Sequence, residues 1–235
     1  MNTTDLNKVK SIAKTFLFLT PKESKVPFVV HHPFFETPIA MRLDKEHNNY
    51  YAVNIMKDAG AFSEIRKDVA QQIADASSLE QIELMLVNKY KLAFLKDAAP
   101  YMSDEDVGGF LRRNWSLIEV TSGDPNASRT QIVKLFRRAG TVSTTSTEDK
   151  ELLDKLPDEV TIYRGVTEYN KNMVKGLSWS LSLDTAKWFA NRFGESGHIY
   201  KATINKKDVL ALYTDRNESE VVVDFRKLQN IEMIE

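Results

Sequence analysis

The run Glu218-Ser-Glu220-Val-Val-Val223 near the end of the chain places the strongest constraint on the fold. Consecutive β-branched residues favour a strand buried inside a sheet. Side chains two positions apart on a strand point to the same face, roughly 6.6–7 Å apart along it. The two carboxylates are therefore predicted to share a face at the start of the strand, where like charges require a cationic neighbour.

Two earlier β-like runs carry polar side chains that suit the same site. Arg164 lies between Tyr163 and Gly165. Its guanidinium can donate two parallel hydrogen bonds to a phosphate group, and the glycine permits close approach of a ligand. Ser178 and Ser180 share one face of the second run. An arginine for phosphate, hydroxyls for orientation and a carboxylate for a sugar cation describe a site for a dinucleotide with a labile N-glycosidic bond.

The order of these elements resembles the arginine–serine–glutamate group of mono-ADP-ribosyltransferases. The resemblance covers residues 160–224, and residues 177–190 are similar to the strand followed by a helix in that group. The family pattern usually has Thr or Ser in the middle of its serine motif and an aromatic residue two positions before it. Here these positions hold Trp179 and Gly176, which leaves two registers open, Ser178-x-Ser180 and Ser180-x-Ser182.

The resemblance implies roles for four catalytic residues. Glu220 would stabilise the oxocarbenium ion as nicotinamide leaves, and Glu218 would orient or deprotonate the acceptor. Ser178 would hold Glu220 in place, and Arg164 would bind the phosphates or the adjacent ribose of NAD.

The resemblance also implies contacts with NAD and with the acceptor. Besides Arg164 and Ser178, the predicted NAD-binding residues are Gly165, Ser180, Arg192 and Phe193. In the polar loop 213–217, Tyr213 and Arg216 are predicted to recognise the acceptor.

Hydrophobic periodicity predicts the organisation of the rest of the chain. Helices are expected at residues 5–19, from 63, over 78–100, from 103 and at 129–139, with a strand at 26–32 and a hairpin of residues 39–43 and 50–56. The Ser/Thr-rich stretch 140–147 is predicted to be a mobile connector. A strand–helix–strand pattern follows Pro157.

We therefore expect an α+β fold. The predicted core, residues 158–235, is an ADP-ribosyltransferase-like split β-sandwich that binds NAD. A helical lobe, residues 59–157, precedes it and completes a transferase domain of residues 59–235. Residues 1–58 are predicted to be an N-terminal extension of one helix and the hairpin.

Composition excludes several other kinds of site. The chain has no cysteine, so disulfides, zinc thiolate sites and cysteine nucleophiles are excluded. A net charge of −1 gives no global attraction to nucleic acid or anionic membrane. Basic residues do cluster in one helix, at Arg129, Lys134, Arg137 and Arg138, where they form either a solvated face or a track for single-stranded nucleic acid.

The expected function is an NAD-dependent mono-ADP-ribosyltransferase that consumes NAD, needs no metal and modifies a macromolecule, with a protein arginine favoured. A transferase acting on RNA or DNA bases and an inactive binding module of the same fold are the alternatives. A toxin, a phage-encoded host modifier or a defence effector fits this activity, and an inhibitor or antitoxin would be a further partner. The polar first residues lack a signal-peptide pattern, so we expect a cytoplasmic location, reached in a host by delivery, and no membrane partner.

Overall fold

The computed structural model describes residues 3–44, 46–118, 124–194, 197–215 and 218–235. The described chain forms two compact units, residues 3–102 and 103–235. The predicted boundary at residue 58 does not coincide with this division. Val53 and Ile55 of the hairpin share one core with Phe62 and Ile65 of the following helix, so a boundary at 58 would divide that core.

The first unit combines helices with two small antiparallel sheets. Its elements are α1 (Leu6–Leu17), β1 (Lys22–Glu23), β2 (Val30–His31), β3 (Ile39–Asp44), β4 (Asn49–Asn54), α2 (Ala59–Asp75), α3 (Leu79–Met85) and α4 (Lys91–Ala98). Strand β1 pairs with β2 and β3 pairs with β4, which confirms the predicted hairpin. The predicted strand at residues 26–32 is only the two residues of β2.

The prediction of one long helix over residues 78–100 is wrong. Leu86 adopts an extended conformation after α3, and the backbone N–H of Val87 donates to the Pro33 carbonyl at 2.8 Å. A short 3₁₀ helix (Asn88–Tyr90) then leads into α4. A tertiary hydrogen bond to the segment before the hairpin thus interrupts a periodicity that looks continuous in the sequence.

The second unit begins with four helices, three of which are capped by serine. The helices are α5 (Asp104–Asn114), α6 (Arg129–Ala139), α7 (Thr141–Thr144) and α8 (Thr147–Lys155). Ser103, Ser128 and Ser146 accept backbone N–H groups of α5, α6 and α8 respectively. The predicted helix at 129–139 is confirmed, with Ser128 and Gln131 forming a reciprocal capping box.

A six-stranded antiparallel sheet follows the helices, with one helix, α9 (Leu183–Asn191), between its second and third strands in the chain. The strands are β5 (Glu159–Val166), β6 (Ser178–Ser180), β7 (His198–Asn205), β8 (Val209–Tyr213), β9 (Glu220–Val223) and β10 (Gln229–Met233). The strand order is β10-β7-β5-β6-β9-β8. One core includes Ile162, Trp179, Ala202, Leu212 and Val221, each from a different strand. Separate helical and antiparallel regions confirm an α+β architecture.

The predicted mobile connector at 140–147 is instead part of this packing. Thr144 and Thr145 are buried, and the Thr144 hydroxyl donates to the Leu210 carbonyl of β8 at 3.0 Å. The Thr145 hydroxyl oxygen accepts the backbone N–H of Leu212 at 3.4 Å. Threonine side chains here bond to the edge strand β8, a use that their loop-like composition does not reveal.

Among the residues with assigned structure, no helix is long and apolar enough to cross a membrane. In the first unit, buried His32 packs among aromatic rings, with Nε2 near the carbonyls of Leu17 and Leu19. Burial lowers the pKa of His32, which favours the neutral ring.

Gly108 in α5 provides a first test of the packing. A Cβ at residue 108 would lie 2.2 Å from Ser143 Cβ and 2.9 Å from its carbonyl carbon, whereas one at Gly109 would meet only the Arg113 side chain. We expect Gly108→Ala to lower the free energy of unfolding by about 1–3 kcal/mol, because α5 and α7 must move apart. Gly109→Ala should raise it by up to about 1 kcal/mol through helix propensity. Urea unfolding of both variants measures the difference, and a Gly108→Ala protein as stable as Gly109→Ala would contradict it.

Asp224, directly after β9, is fully buried and accepts hydrogen bonds from two arginines. Arg226 donates to both carboxylate oxygens at 2.8 Å, and Arg137 donates to Oδ2 from Nε at 3.2 Å and Nη2 at 2.9 Å. Arg137 Nη2 also contacts Asp208 at 2.7 Å. These bonds, that of Arg226 foremost, hold the pKa of Asp224 far below its usual range.

We expect Asp224→Asn to destabilise the protein at pH 7 by about 2 kcal/mol, because Arg137 and Arg226 lose the charge of their buried hydrogen-bond partner. The folded pKa lies below that of the unfolded chain, so the wild-type advantage is complete above about pH 4 and declines as the pH falls below that value. Thermal unfolding at pH 7 and pH 3 should show the two proteins converging in acid. Asp154→Asn, which removes an exposed pair with Lys150, is the control and should change stability little.

Candidate active site

Arg164 lies on β5 with its guanidinium directed to the neighbouring strand. Its Nη1 donates to the Ser178 carbonyl, next to the one backbone pair, Tyr163 with Ser180, that joins β5 to β6 in the described sheet. Gly176 makes room for this group, since a Cβ there would lie 2.6 Å from Arg164 Cζ. Burial lowers the pKa of Arg164 to about 10, and the charge of Glu220 opposes that shift.

The serine pair on β6 makes contacts with both glutamates of the Glu-x-Glu run. The Ser178 hydroxyl donates to the Glu220 carboxylate. Ser180 Oγ donates to the backbone carbonyl of Glu218 at 2.7 Å and accepts the Ser182 N–H at 3.0 Å. Ser182 instead caps α9 by accepting the N–H of Thr185. Of the two registers, Ser178-x-Ser180 is therefore the one that directs hydroxyls toward the glutamates.

Glu220 is the first residue of β9 and lies between two strands. Its backbone pairs with Ser180 of β6 and Tyr213 of β8, and residues paired in this way share a face of the sheet. Trp115 Nε1 donates to Glu220 Oε1 at 2.9 Å, in addition to the Ser178 bond. Burial raises the pKa of Glu220 more than these donors lower it, and the charge of Glu218 raises it further.

The strand predicted to begin at Glu218 begins two residues later. Ser219 has a φ of 44°, in the left-handed region, so strand alternation does not extend back to Glu218. Glu218 still lies close enough for its charge to act on Glu220. A turn therefore brings the two carboxylates together, and the strained backbone at Ser219 belongs to this arrangement.

Two further arginines, Arg129 and Arg192, lie near Arg164. Arg192 lies in the 3₁₀ helix Arg192–Gly194 after α9, with its guanidinium 5.1 Å from the centre of the Phe189 ring. Arg129 of α6 donates to the Lys175 carbonyl and lies 4.6 Å from the Phe225 ring. The charges of both arginines lower the pKa of Arg164, so three guanidinium groups lie near one another. Such a cluster suits an anionic ligand.

Gly165 and Phe193 are the two remaining residues predicted to contact NAD. Gly165 is explained by packing, since a Cβ there would lie 2.2 Å from the Ala186 carbonyl oxygen of α9. Its role at a ligand stays a prediction. The side chain of Phe193 lies outside the described part of the structure.

Of the two residues predicted to recognise the acceptor in loop 213–217, the structure describes Tyr213. Tyr213 is the last residue of β8 and is 5 % exposed, so it does not lie in a solvated loop. Its buried Oη makes no hydrogen bond within the described residues, and burial raises its pKa well above the usual value. Arg216 lies outside the described residues.

Trp115 and Arg129 are the site residues that the sequence did not indicate. Trp115 continues the apolar stripe of α5 and is only 1 % exposed, as a core residue would be. Its N–H nevertheless reaches a carboxylate 105 residues away. Arg129 is predicted within the basic cluster of α6, whose Arg137 and Arg138 are instead paired with aspartates.

Metal-binding groups and cavities were also compared with the position of these residues. No group of three His, Cys, Asp or Glu side chains among the described residues is arranged to hold a metal ion. A cavity of about 320 Å³ lies elsewhere in the second unit, with Lys150, Asp154, Asp158, Lys206 and Lys207 in its lining. None of the predicted site residues lines it.

The site therefore combines a poorly solvated carboxylate at the start of β9 with three arginines, one on β5, one at the start of α6 and one in the 3₁₀ helix after α9. Such an arrangement can bind an anionic ligand and stabilise positive charge that develops beside Glu220. Comparisons of the chain with protein-family models, with curated proteins and with solved structures found no match.

Proposed function

We propose that this protein is an NAD-dependent mono-ADP-ribosyltransferase. The observation that carries the proposal is the chain of contacts from Arg164 to the Ser178 carbonyl and from the Ser178 hydroxyl to Glu220. These residues come from three strands and lie in the order of the sequence motif that resembles this family. An ADP-ribosyltransferase-like split β-sandwich is the fold we propose, supported by the single backbone pair that joins β5 to β6.

In the proposed reaction, NAD binds with its phosphates near the arginines and its nicotinamide-side ribose near Glu220. The bond between C1′ and the nicotinamide nitrogen breaks, and its electron pair leaves with nicotinamide. The Glu220 carboxylate stabilises the resulting oxocarbenium ion. An acceptor nucleophile then attacks C1′ and gives its proton to Glu218.

The proposed NAD-binding residues are divided between the phosphates and the nicotinamide. Arg164 and Arg192 bind the phosphates or the adjacent ribose, and the position of Arg129 adds a third cation to them. Gly165, Ser180 and Phe193 are proposed to contact NAD around the nicotinamide. Tyr213 and Arg216 are proposed to recognise the acceptor, and the unpaired Tyr213 hydroxyl supports this for Tyr213.

The acceptor is proposed to be a protein side chain, with arginine favoured, in the setting of a toxin, a phage-encoded modifier or a defence effector. A base of RNA or DNA is the alternative acceptor. The track of α6 cations that would suit nucleic acid loses Arg137 and Arg138 to the intramolecular pairs with Asp208, Asp224 and Asp104. The retained donors to Glu220 argue against the second alternative, an inactive binding module.

Incubation with NAD labelled in its ADP-ribose part separates these acceptors. Labelled material from a lysate is digested with protease or with nuclease. Loss of macromolecular label only to protease supports a protein acceptor, and loss only to nuclease supports the base-modifying alternative. Absence of both label and nicotinamide release would leave the binding module.

We expect Glu220→Gln to reduce nicotinamide release from NAD by about 10²–10³-fold, because a neutral amide cannot balance the charge of the oxocarbenium ion. Chromatographic measurement of free nicotinamide gives the rate. Glu232→Gln is the matched control: Glu232 lies on β10 and pairs at the surface with Lys201, so its loss should leave the rate unchanged. Full activity of the Glu220→Gln protein would refute the assignment.

The raised pKa of Glu220 predicts the acid limb of the pH profile. Only the ionised carboxylate can stabilise the cation, so the rate should fall as Glu220 is protonated. The midpoint of this fall should lie above the pKa of an ordinary glutamate, which is about 4.3. Glu218→Gln removes a like charge that raises this pKa, so its acid limb should move to lower pH. Hydrolysis of NAD without an acceptor is the measurement, since it does not require Glu218 to deprotonate an acceptor. An acid limb that moves to higher pH in Glu218→Gln would contradict the assignment.

A further inference from the structure

We infer that Trp115 is a positioning residue for Glu220, with its indole N–H fixing the carboxylate from the helical part of the second unit. The hydrogen bond of 2.9 Å from Nε1 to Oε1 carries this inference. The effect of Trp115 on catalysis rests on the function proposed above. Its effect on the position of the Glu220 carboxylate does not depend on that function.

The packing around Trp115 makes the donor rigid. Trp115 opens the short 3₁₀ helix Trp115–Leu117 directly after α5 and is 1 % exposed. Its ring packs edge-on against Phe136 of α6, with 4.9 Å between the centroids and an interplanar angle of 84°. An indole N–H is fixed in the plane of its ring, so the helices α5 and α6 determine where Glu220 Oε1 is held.

The other groups that face Glu220 act differently from Trp115. Ser178 on β6 donates from a hydroxyl that can rotate and can also accept a hydrogen bond. Arg164 on β5 acts through its charge, with Arg129 and Arg192 close to it. Glu218 before β9 repels the carboxylate, and Tyr213 on β8 contributes a buried phenol.

Trp115 is thus the donor that can neither rotate away nor accept. An N–H aimed at Oε1 favours the ionised carboxylate, against the burial that disfavours it. The residue also links the helices to the strand that carries the proposed catalytic group. A packed aromatic residue that lacked this bond would serve the core equally well, so the N–H is the part of Trp115 that serves the site.

A pair of tryptophan variants tests this role. Trp115→Phe keeps an aromatic ring against Phe136 and deletes the N–H. Trp179→Phe is the matched control, because Trp179 is also buried but donates to the Gly176 carbonyl at 3.1 Å. For Trp115→Phe we expect kcat for nicotinamide release to fall roughly tenfold, with little change in KM for NAD and an acid limb moved to higher pH. For Trp179→Phe the acid limb should keep the wild-type position.

A Trp115→Phe protein with the wild-type acid limb, or with a shift no greater than that of Trp179→Phe, would overturn the inference. Circular dichroism and thermal unfolding establish that both variants are folded. A merely structural role for Trp115 would lower stability without moving the acid limb.

Fluorescence tests the hydrogen bond without reference to activity. The chain has three tryptophans, so Trp179→Phe combined with Trp188→Phe leaves Trp115 as the sole tryptophan, which is excited at wavelengths that tyrosine does not absorb. We expect its emission to change with pH as Glu220 gains a proton, and Glu220→Gln in the same background to abolish that change. Emission that does not respond to Glu220→Gln would overturn the positioning role. A Glu220-dependent titration in a protein that releases no nicotinamide would support the hydrogen bond and reject the enzymatic function.

Discussion

The start of β9 depends on one set of contacts, those between the partly buried Glu220 carboxylate and its hydrogen-bond donors. A carboxylate removed from water is stable only where hydrogen bonds and cations replace its hydration. Trp115 and Ser178 supply the hydrogen bonds, and Arg164 supplies a nearby positive charge. Burial still raises the pKa of Glu220, so the site keeps an incompletely compensated negative charge. That imbalance is the property that a stabiliser of carbocations requires.

The opposite end of the same strand is arranged for stability. Asp224 is fully buried, but two arginines donate to it and hold its pKa low. Three residues separate a carboxylate with a raised pKa from one with a lowered pKa. The difference arises from the number and charge of the donors, because Glu220 begins β9 and Asp224 directly follows it. A contrast of this kind between neighbouring acids is typical of functional sites.

The arginines of α6 likewise differ in their partners. Arg137 and Arg138 on α6 are committed to aspartates, whereas Arg129, at the start of the same helix, lies near Arg164 and Arg192. A basic helix therefore divides into a structural part and a part that faces the candidate site. This division explains why a helix rich in cations does not present one continuous surface for a phosphate backbone.

Sequence reasoning was most successful where the information is local. The α6 helix, the β3–β4 hairpin and the strands that carry Arg164, Ser178 and Glu220 follow from periodicity, caps and β-branched runs. It failed where distant contacts decide the outcome. The helix predicted at 78–100 is interrupted by a bond from Val87 to Pro33, and the connector at 140–147 packs against β8 through Thr144 and Thr145.

By itself, the sequence determined which chemical groups the chain has and the order in which its strands present them: a guanidinium, a serine pair and a glutamate pair, without cysteine. Only the tertiary structure decided which groups meet. The bond from Trp115 to Glu220 spans 105 residues, and the turn at Ser219, rather than strand alternation, brings Glu218 near Glu220. Periodicity reports the face of an element on which a side chain lies. The partner across that face depends on packing between elements, which no local pattern encodes.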